Sequence, residues 1–113
     1  MEERYAMRIL KFIVKNNIIT KDPKSDFSNI VPNTNEELIA DFTFSSEWDG
    51  AVKVAAFYNA KGECPPQPLI DGMYCRIPQE ALSRHWFRVQ IIGDKKGRPL
   101  VTNKLDIIQK GDR

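Results

Sequence analysis

Apolar residues recur at every second position along most of this chain, and no other feature constrains its fold as strongly. Residues 38–44 show the pattern most clearly, because every even position is apolar while Asp41 and Thr43 occupy the opposite side. A period of two is that of a β-strand, and the 3.6-residue period of an amphipathic helix is nearly absent. The sequence therefore predicts a chain built almost entirely from strands.

Turn-forming residues, chiefly Asn, Asp, Gly and Pro, divide the alternating segments into about seven short strands and two single helical turns. We expect strands at 7–14, 18–19, 38–44, 52–58, 69–77, 86–92 and 100–108, and helical turns at 46–49 and 78–82. Within 69–77 the chain reverses at Asp71-Gly72 as a hairpin, and both faces of strand 7–14 are apolar enough to be covered.

The remaining segments lack a regular pattern. Residues 22–35 carry Pro23 and Pro32 and predict a long irregular connection, anchored by Phe27, Ile30 and Val31. Residues 110–113 are polar and predict a frayed tail. The fold class predicted is all-β, a single immunoglobulin-like β-sandwich of about seven strands that spans residues 1–113.

Residues 42–58, FTFSSEWDGAVKVAAFY, form a strand–turn–strand unit. The Ser46-Glu47-Trp48-Asp49 segment has the form of a capping box, in which a hydroxyl and a carboxylate three residues later cap one helical turn, and Gly50 ends it. Trp48 on such a turn would place its ring over the open end of the core.

Charge and length exclude several classes of function. Seventeen Lys and Arg against fifteen Asp and Glu give a net charge of +2, so a nucleic-acid partner is not expected. No apolar run approaches the roughly 20 residues of a membrane helix, and the start Met1-Glu2-Glu3-Arg4 does not resemble a signal peptide. Without a secretory signal, Cys64 and Cys75 are expected as unpaired thiols.

A catalytic set is not found in the sequence. His85 is the only imidazole, and no Gly-x-Ser-x-Gly elbow accompanies it. Asp41, Glu47 and Asp49 cluster in sequence, but Asp41 is expected to face solvent and the other two suit the first turn of a helix. We expect no enzyme activity, no cofactor and no metal site, since two Cys and one His lack a recognisable ligand spacing.

Two features predict a contact with another protein. Trp86 and Phe87 are adjacent on a predicted strand and must point to opposite faces, so one of the two rings lies outside the main core. The predicted hairpin tip holds the densest basic patch of the chain, with Lys95, Lys96 and Arg98. These five residues are the candidate contact set.

The order of segments resembles a bacteriophage family, the virion-associated immunoglobulin-like modules of baseplate upper proteins and of tail or head-fibre components. The matching segments are KFIVKNNIITKD, FTFSSEWDG followed by VKVAAF, LIDGMYCRIPQEAL, and FRVQIIGDKKG leading into LVTNKLDIIQKG. The residues that fit the family pattern are Phe42, Phe44, Ser45, Trp48, Gly50, Phe57, Asp71, Cys75, Pro78, Leu82, Gly93, Thr102 and Asn103. The proline-rich stretch 65–68 and the length of 22–35 depart from it.

The resemblance implies a non-enzymatic phage protein that binds other protein subunits at a baseplate, tail or capsid surface, in the virion or the host cytoplasm. Homo-oligomers are compatible with such a role. The alternative is a phage-encoded inhibitor that binds and blocks a host protein, for example a defence enzyme. A small ligand or sugar held by residues 65–72 and Tyr74 is a third alternative.

Overall fold

Ten β-strands make up most of residues 7–30 and 37–109, the parts of the chain that the computed structural model describes. The strands are β1 (Met7–Lys15), β2 (Ile18–Lys21), β3 (Glu37–Phe44), β4 (Val52–Asn59), β5 (Gly62–Glu63), β6 (Gln67–Pro68), β7 (Tyr74–Arg76), β8 (Trp86–Lys95), β9 (Arg98–Val101) and β10 (Leu105–Ile108). Two 3-10 turns, Ser46–Trp48 and Gln79–Ser83, complete the described elements. The predicted all-β class is confirmed, and the predicted tail at 110–113 lies outside the described residues.

The strands form two sheets. The first sheet has the order β2-β1-β3-β7, and the second has β8 and β4 at its centre. Strands β9 and β10 both pair with β8 on the side away from β4, while β5 and β6 both pair with β4 on the side away from β8. The second sheet is therefore four columns wide, and each of its outer columns consists of two short strands.

The chain passes between the sheets three times. It leaves the first sheet after β3, returns to it at β7, and crosses again to enter β8. Strand β1 is parallel to β3, in register from Met7 opposite Glu37 to Val14 opposite Phe44. A parallel pair needs a crossover connection, which accounts for the long segment between β2 and β3.

Hydrogen bonds and apolar contacts hold the described part of this crossover against the first sheet. The Arg8 guanidinium donates hydrogen bonds to the carbonyl oxygens of three residues, Asp26, Ser28 and Asn29. The ring of Phe27 meets Phe12 edge-on at 5.3 Å, and Ile30 is buried in the core. Anchoring by Phe27 and Ile30 is therefore confirmed, whereas Val31 lies outside the described residues.

One apolar core lies between the two sheets. Phe12 and Phe42 stack with their ring centroids 5.1 Å apart, and the rings of Phe57 and Phe87 approach to 6.2 Å in the core. Trp48 is completely buried, as the sequence predicted. The other large side chains that are fully buried in this core are Leu10, Ile19, Ile30, Ile77, Ile91 and Ile107.

Strand β1 is covered on one face only, so the expectation of cover on both sides is wrong. Its inward residues Leu10, Phe12 and Val14 are fully buried, whereas Met7 and Ile9 on the outer face are exposed. No described segment packs over the outer side of the first sheet at these two residues, and their apolar side chains contact solvent.

The predicted closing strand 100–108 is interrupted. Residues 102–104 separate β9 from β10, and Thr102 occupies the gap. Its hydroxyl accepts a hydrogen bond from the Ile91 N–H at 3.0 Å and donates one to the Asn103 carbonyl at 2.8 Å. At this point the neighbouring strand is interrupted, and the Thr102 side chain takes the place of a backbone carbonyl as the acceptor for the Ile91 N–H.

The segment 69–77 forms its predicted turn but not the predicted hairpin. Asp71 and Gly72 adopt positive φ angles of 54° and 68°, yet only the single bridge between Ile70 and Tyr74 joins the two sides. The residues before the turn pair with β4, and those after it pair with β3. The turn therefore carries the chain from one sheet to the other.

The predicted capping box at Ser46 does not form. The 3-10 turn begins at Ser46, with Ser45 as the N-cap and no side-chain hydrogen bond to the cap. The Ser45 hydroxyl instead accepts a hydrogen bond from the Asn16 N–H at 3.0 Å, which joins the turn to the β1–β2 hairpin. The serine hydroxyl that is bonded here is therefore that of Ser45, and its partner lies in another part of the fold.

Candidate protein-binding face

The two aromatic candidates, Trp86 and Phe87, point to opposite faces of β8, as neighbours on a strand must. Phe87 points inward and is fully buried against Phe57, so its assignment as a contact residue is wrong. Trp86 is half-buried on the outer face of the second sheet, beside the exposed Ile108 on β10. The Arg88 guanidinium lies 4.9 Å from the centroid of the Trp86 ring and covers part of it, while the rest of the half-buried ring stays exposed.

The three basic candidates lie at the other end of β8. Trp86 is the first residue of this strand and Lys95 the last, so the two are separated by about 30 Å at roughly 3.3 Å per residue. Lys95 is half-buried and donates a hydrogen bond to the Glu47 carbonyl at 3.0 Å, while Lys96 and Arg98 are exposed. The predicted contact set therefore does not form one site.

A row of aliphatic side chains crosses the outer face of the second sheet between these two ends. The sequence did not predict it. The strand register places Val54 opposite Pro68 on one side and Ile92 on the other, and Ile92 opposite Val101. We call Pro68, Val54, Ile92 and Val101 the aliphatic row. Ile92 is 40% and Val101 44% exposed, and the neighbouring Val52 is 72% exposed.

Strand periodicity contained a signal for this row. In β4 the buried residues Ala55 and Phe57 are odd-numbered, so Val52 and Val54 necessarily lie on the opposite face. In β8 the buried Ile91 places Ile92 outside. The sequence does not show which strands are neighbours, and only that order makes one row from separate exposed residues.

Polar and charged groups surround the aliphatic row. Asp94 lies two residues beyond Ile92 on the outer face, and Arg88 lies four residues before it. The Arg88 Nε donates to Asp106 at 2.6 Å in an ion pair that is exposed to solvent. The face therefore carries both signs of charge.

Tyr58 joins the polar part of the same face. Its hydroxyl donates to the Gln90 Oε1 at 2.9 Å, and the Lys104 Nζ lies 4.3 Å from the centroid of its ring. Burial, followed by the charge of Glu63, raises the pKa of Tyr58 above its usual value. The phenol is therefore neutral at physiological pH and acts as a hydrogen-bond donor.

The outer face of the first sheet carries an apolar concavity. Met7, Ile9, Ile39 and Tyr74 line it together with Asp41, and its volume is about 250 Å³. It lies on the opposite side of the molecule from the aliphatic row.

The residues weighed for catalysis occupy separate places. His85 is exposed just before β8, and its carbonyl accepts a hydrogen bond from the Gln109 N–H at 2.7 Å. Asp41 is half-buried on the outer face of the first sheet, while Glu47 and Asp49 lie at the first 3-10 turn. Among residues 7–30 and 37–109, no three His, Cys, Asp or Glu side chains lie close enough to hold a metal ion.

Both cysteines are buried free thiols. Burial raises the pKa of Cys75 to about 12, and burial followed by the charge of Glu80 also raises the pKa of Cys64. Since the thiolate is the reactive form of cysteine, neither side chain is prepared for nucleophilic attack at neutral pH.

Comparison of the chain with known protein families, with curated proteins and with solved structures gives no match. Within the described residues, no helix has the length and apolar character needed to cross a membrane.

Proposed function

We propose that this chain is an immunoglobulin-like, non-enzymatic module of a phage virion, which binds other protein subunits through the outer face of its second sheet. The observation that carries the proposal is the aliphatic row, with Ile92 and Val101 exposed side by side on neighbouring strands. Exposed apolar patches of this kind are typical of protein–protein contacts.

The order in which the chain visits the two sheets supports the immunoglobulin-like assignment. Strands β3, β4, β7 and β8 alternate between the sheets, as the B, C, E and F strands of an immunoglobulin-like sandwich do. The parallel pairing of β1 with β3 departs from the usual antiparallel A–B pair. The assignment therefore rests on the strands from β3 onward.

The phage assignment rests on the sequence resemblance, and several residues of that pattern have a structural role here. Gly93 passes beneath the Trp48 ring, Thr102 bridges the break between β9 and β10, and Asn103 binds the backbone of Ile19. Residues of the family pattern thus make contacts that hold the two sheets together, which supports an architecture shared with that family. The virion role is proposed on the basis of this shared architecture.

Mass spectrometry of purified particles tests the virion role. We expect the chain in gradient-purified particles at a fixed ratio to a known structural protein. Its absence from particles, together with abundant expression in infected cells, would contradict the proposal. Stoichiometric capture of a single host protein by the same face would then favour the inhibitor alternative.

A further inference from the structure

The shape of the outer face of the second sheet limits what can cover the aliphatic row. This face is four strand columns wide, and β8 runs ten residues along it. At roughly 3.3 Å per residue and about 4.8 Å between strands, it measures about 33 by 19 Å. A sheet face of this kind packs well against another sheet, at about 10 Å separation.

The size of the face suits a partner of equal size. Because its outer columns are short, the 30 strand residues of this face cover about 480 Å², which gives about 950 Å² when two such faces meet. An interface of this size suits a weak dimer in equilibrium with its monomer. A second copy of the chain presents a sheet face of the same dimensions and the same aliphatic row.

The charges on this face are arranged for self-association. Asp94 and Arg88 lie on the outer side of β8, three residues to either side of Ile91. A two-fold axis over Ile91, parallel to the sheet and perpendicular to its strands, brings Asp94 of each copy opposite Arg88 of the other. The Arg88 Nε already binds Asp106, and its terminal nitrogens remain to bind a second carboxylate.

We propose that a second copy of this chain covers the aliphatic row, in a two-fold dimer that packs the second sheets face to face and pairs Asp94 with Arg88 across the axis. The inference rests on the proposed protein-binding role of this face and names its partner. A partner of one charge sign would match Asp94 or Arg88 but oppose the other, whereas an identical face matches both.

Sedimentation velocity over a wide range of protein concentrations tests the dimer. We expect a monomer–dimer equilibrium in the wild type, weakened at least about tenfold by Ile92→Lys, since each variant dimer would bury two unpaired ammonium groups. Ile9→Lys is the matched control, because Ile9 is exposed on the other sheet, and it should leave the equilibrium unchanged. Val101→Lys on the neighbouring strand should repeat the Ile92→Lys result, and thermal unfolding verifies that each variant folds.

A charge reversal tests the proposed axis. Asp94→Arg and Arg88→Asp should each weaken the dimer. The double variant should recover part of the affinity, since reversed charges still face each other across the axis although the ion pair of Arg88 with Asp106 is lost. A wild type that is monomeric at every concentration would overturn the inference, as would a dimer that dissociates with Ile9→Lys but not with Ile92→Lys. Single reversals without effect, or a double variant that is no tighter than either single, would overturn the axis.

This outcome is separable from that of the proposed function. A monomer that still binds virion proteins through Ile92 would refute the dimer and leave the protein-binding role intact. A dimer formed through this face, by a chain absent from virions, would refute the virion role and leave the dimer intact.

Discussion

Trp48 and Gly93 pack closely against each other in the core. The indole is fully buried, and its Nε1 donates a hydrogen bond to the Asn16 carbonyl at 2.7 Å. Its ring lies so close to Gly93 that a Cβ at this position would be 2.8 Å from the Trp48 Cζ3. Gly93 is therefore required by close packing and not by a left-handed backbone angle.

Gly93→Ala should destabilise the fold. The added methyl group must displace the indole or the backbone of β8, and overpacking of this kind costs about 1–3 kcal/mol. Chemical denaturation gives the free energy of unfolding. In a Trp48→Leu background the same change should cost less, and equal costs in the two backgrounds would show that the clash is not with the indole.

The Cys75 thiol makes stability depend on alkaline pH. Burial raises its pKa from 9.0 to about 12, so the folded protein holds this proton more tightly than the unfolded chain. The resulting stabilisation is fully present below pH 9.0 and is lost as the pH rises toward 12. Within this window the loss approaches about 1.4 kcal/mol for each pH unit.

Cys75→Ala removes this contribution while leaving Tyr58 and Cys64, whose pKa values are also raised. We therefore expect the free energy of unfolding to fall less steeply with alkaline pH in the variant than in the wild type. Urea denaturation at a series of pH values above 9.0 measures both slopes. Parallel curves for the two proteins would contradict the role given to Cys75.

Among the elements, the break between β9 and β10 is where side-chain hydrogen bonds connect the two sheets along one edge. Asn103 in this break accepts a hydrogen bond from the Ile19 N–H at 2.8 Å, and the Asn17 Nδ2 donates to the Val101 carbonyl at 3.0 Å. These bonds join the edge of the first sheet to the edge of the second. They also occupy backbone groups that an open edge would offer to other chains.

Thr102→Val should weaken this edge. Valine has nearly the same shape but no hydroxyl, so the buried Ile91 N–H would lose its partner, which costs about 1–3 kcal/mol. Thr102→Ser is the matched control, because it keeps the hydroxyl and should retain most of the stability. If valine and serine gave equal unfolding free energies in denaturation, the hydroxyl would not be the stabilising group.

Strand periodicity predicted the positions of most elements because each strand buries alternate residues. It did not place Trp48, whose position over the core was predicted from the helical turn at 46–49 and is confirmed by its burial. It failed where a side chain replaced a backbone partner, as Thr102 does, and where a turn joined two sheets, as at Asp71. Those outcomes depend on tertiary contacts that local sequence does not specify.

The candidate site was less predictable than the fold. Adjacency on a strand showed that only one of Trp86 and Phe87 lies outside the core, but it did not show which. The aliphatic row depends on the alignment of Val54, Ile92 and Val101 from three strands. Such an alignment follows from strand order and register, and both arise only when the whole molecule assembles.

At the scale of the whole molecule, the two outer faces differ in character. The second sheet presents the aliphatic row with charges of both signs, whereas the first presents a concavity lined by Met7, Ile9, Ile39 and Tyr74. Ile9 and Ile92 have similar exposed fractions, 50% and 40%, on these opposite faces. A charge introduced at either position therefore perturbs one face while sparing the other.

Incorporation of these two variants into particles tests whether the outer face of the second sheet binds the other virion subunits. Phage lacking the native gene would be complemented with the wild type, Ile92→Lys or Ile9→Lys, and the chain in purified particles quantified by mass spectrometry. We predict that the wild type and Ile9→Lys are incorporated equally, and that Ile92→Lys is lost from particles although it is folded and expressed. Incorporation of Ile92→Lys at the wild-type level would contradict the claim that this face binds the other subunits.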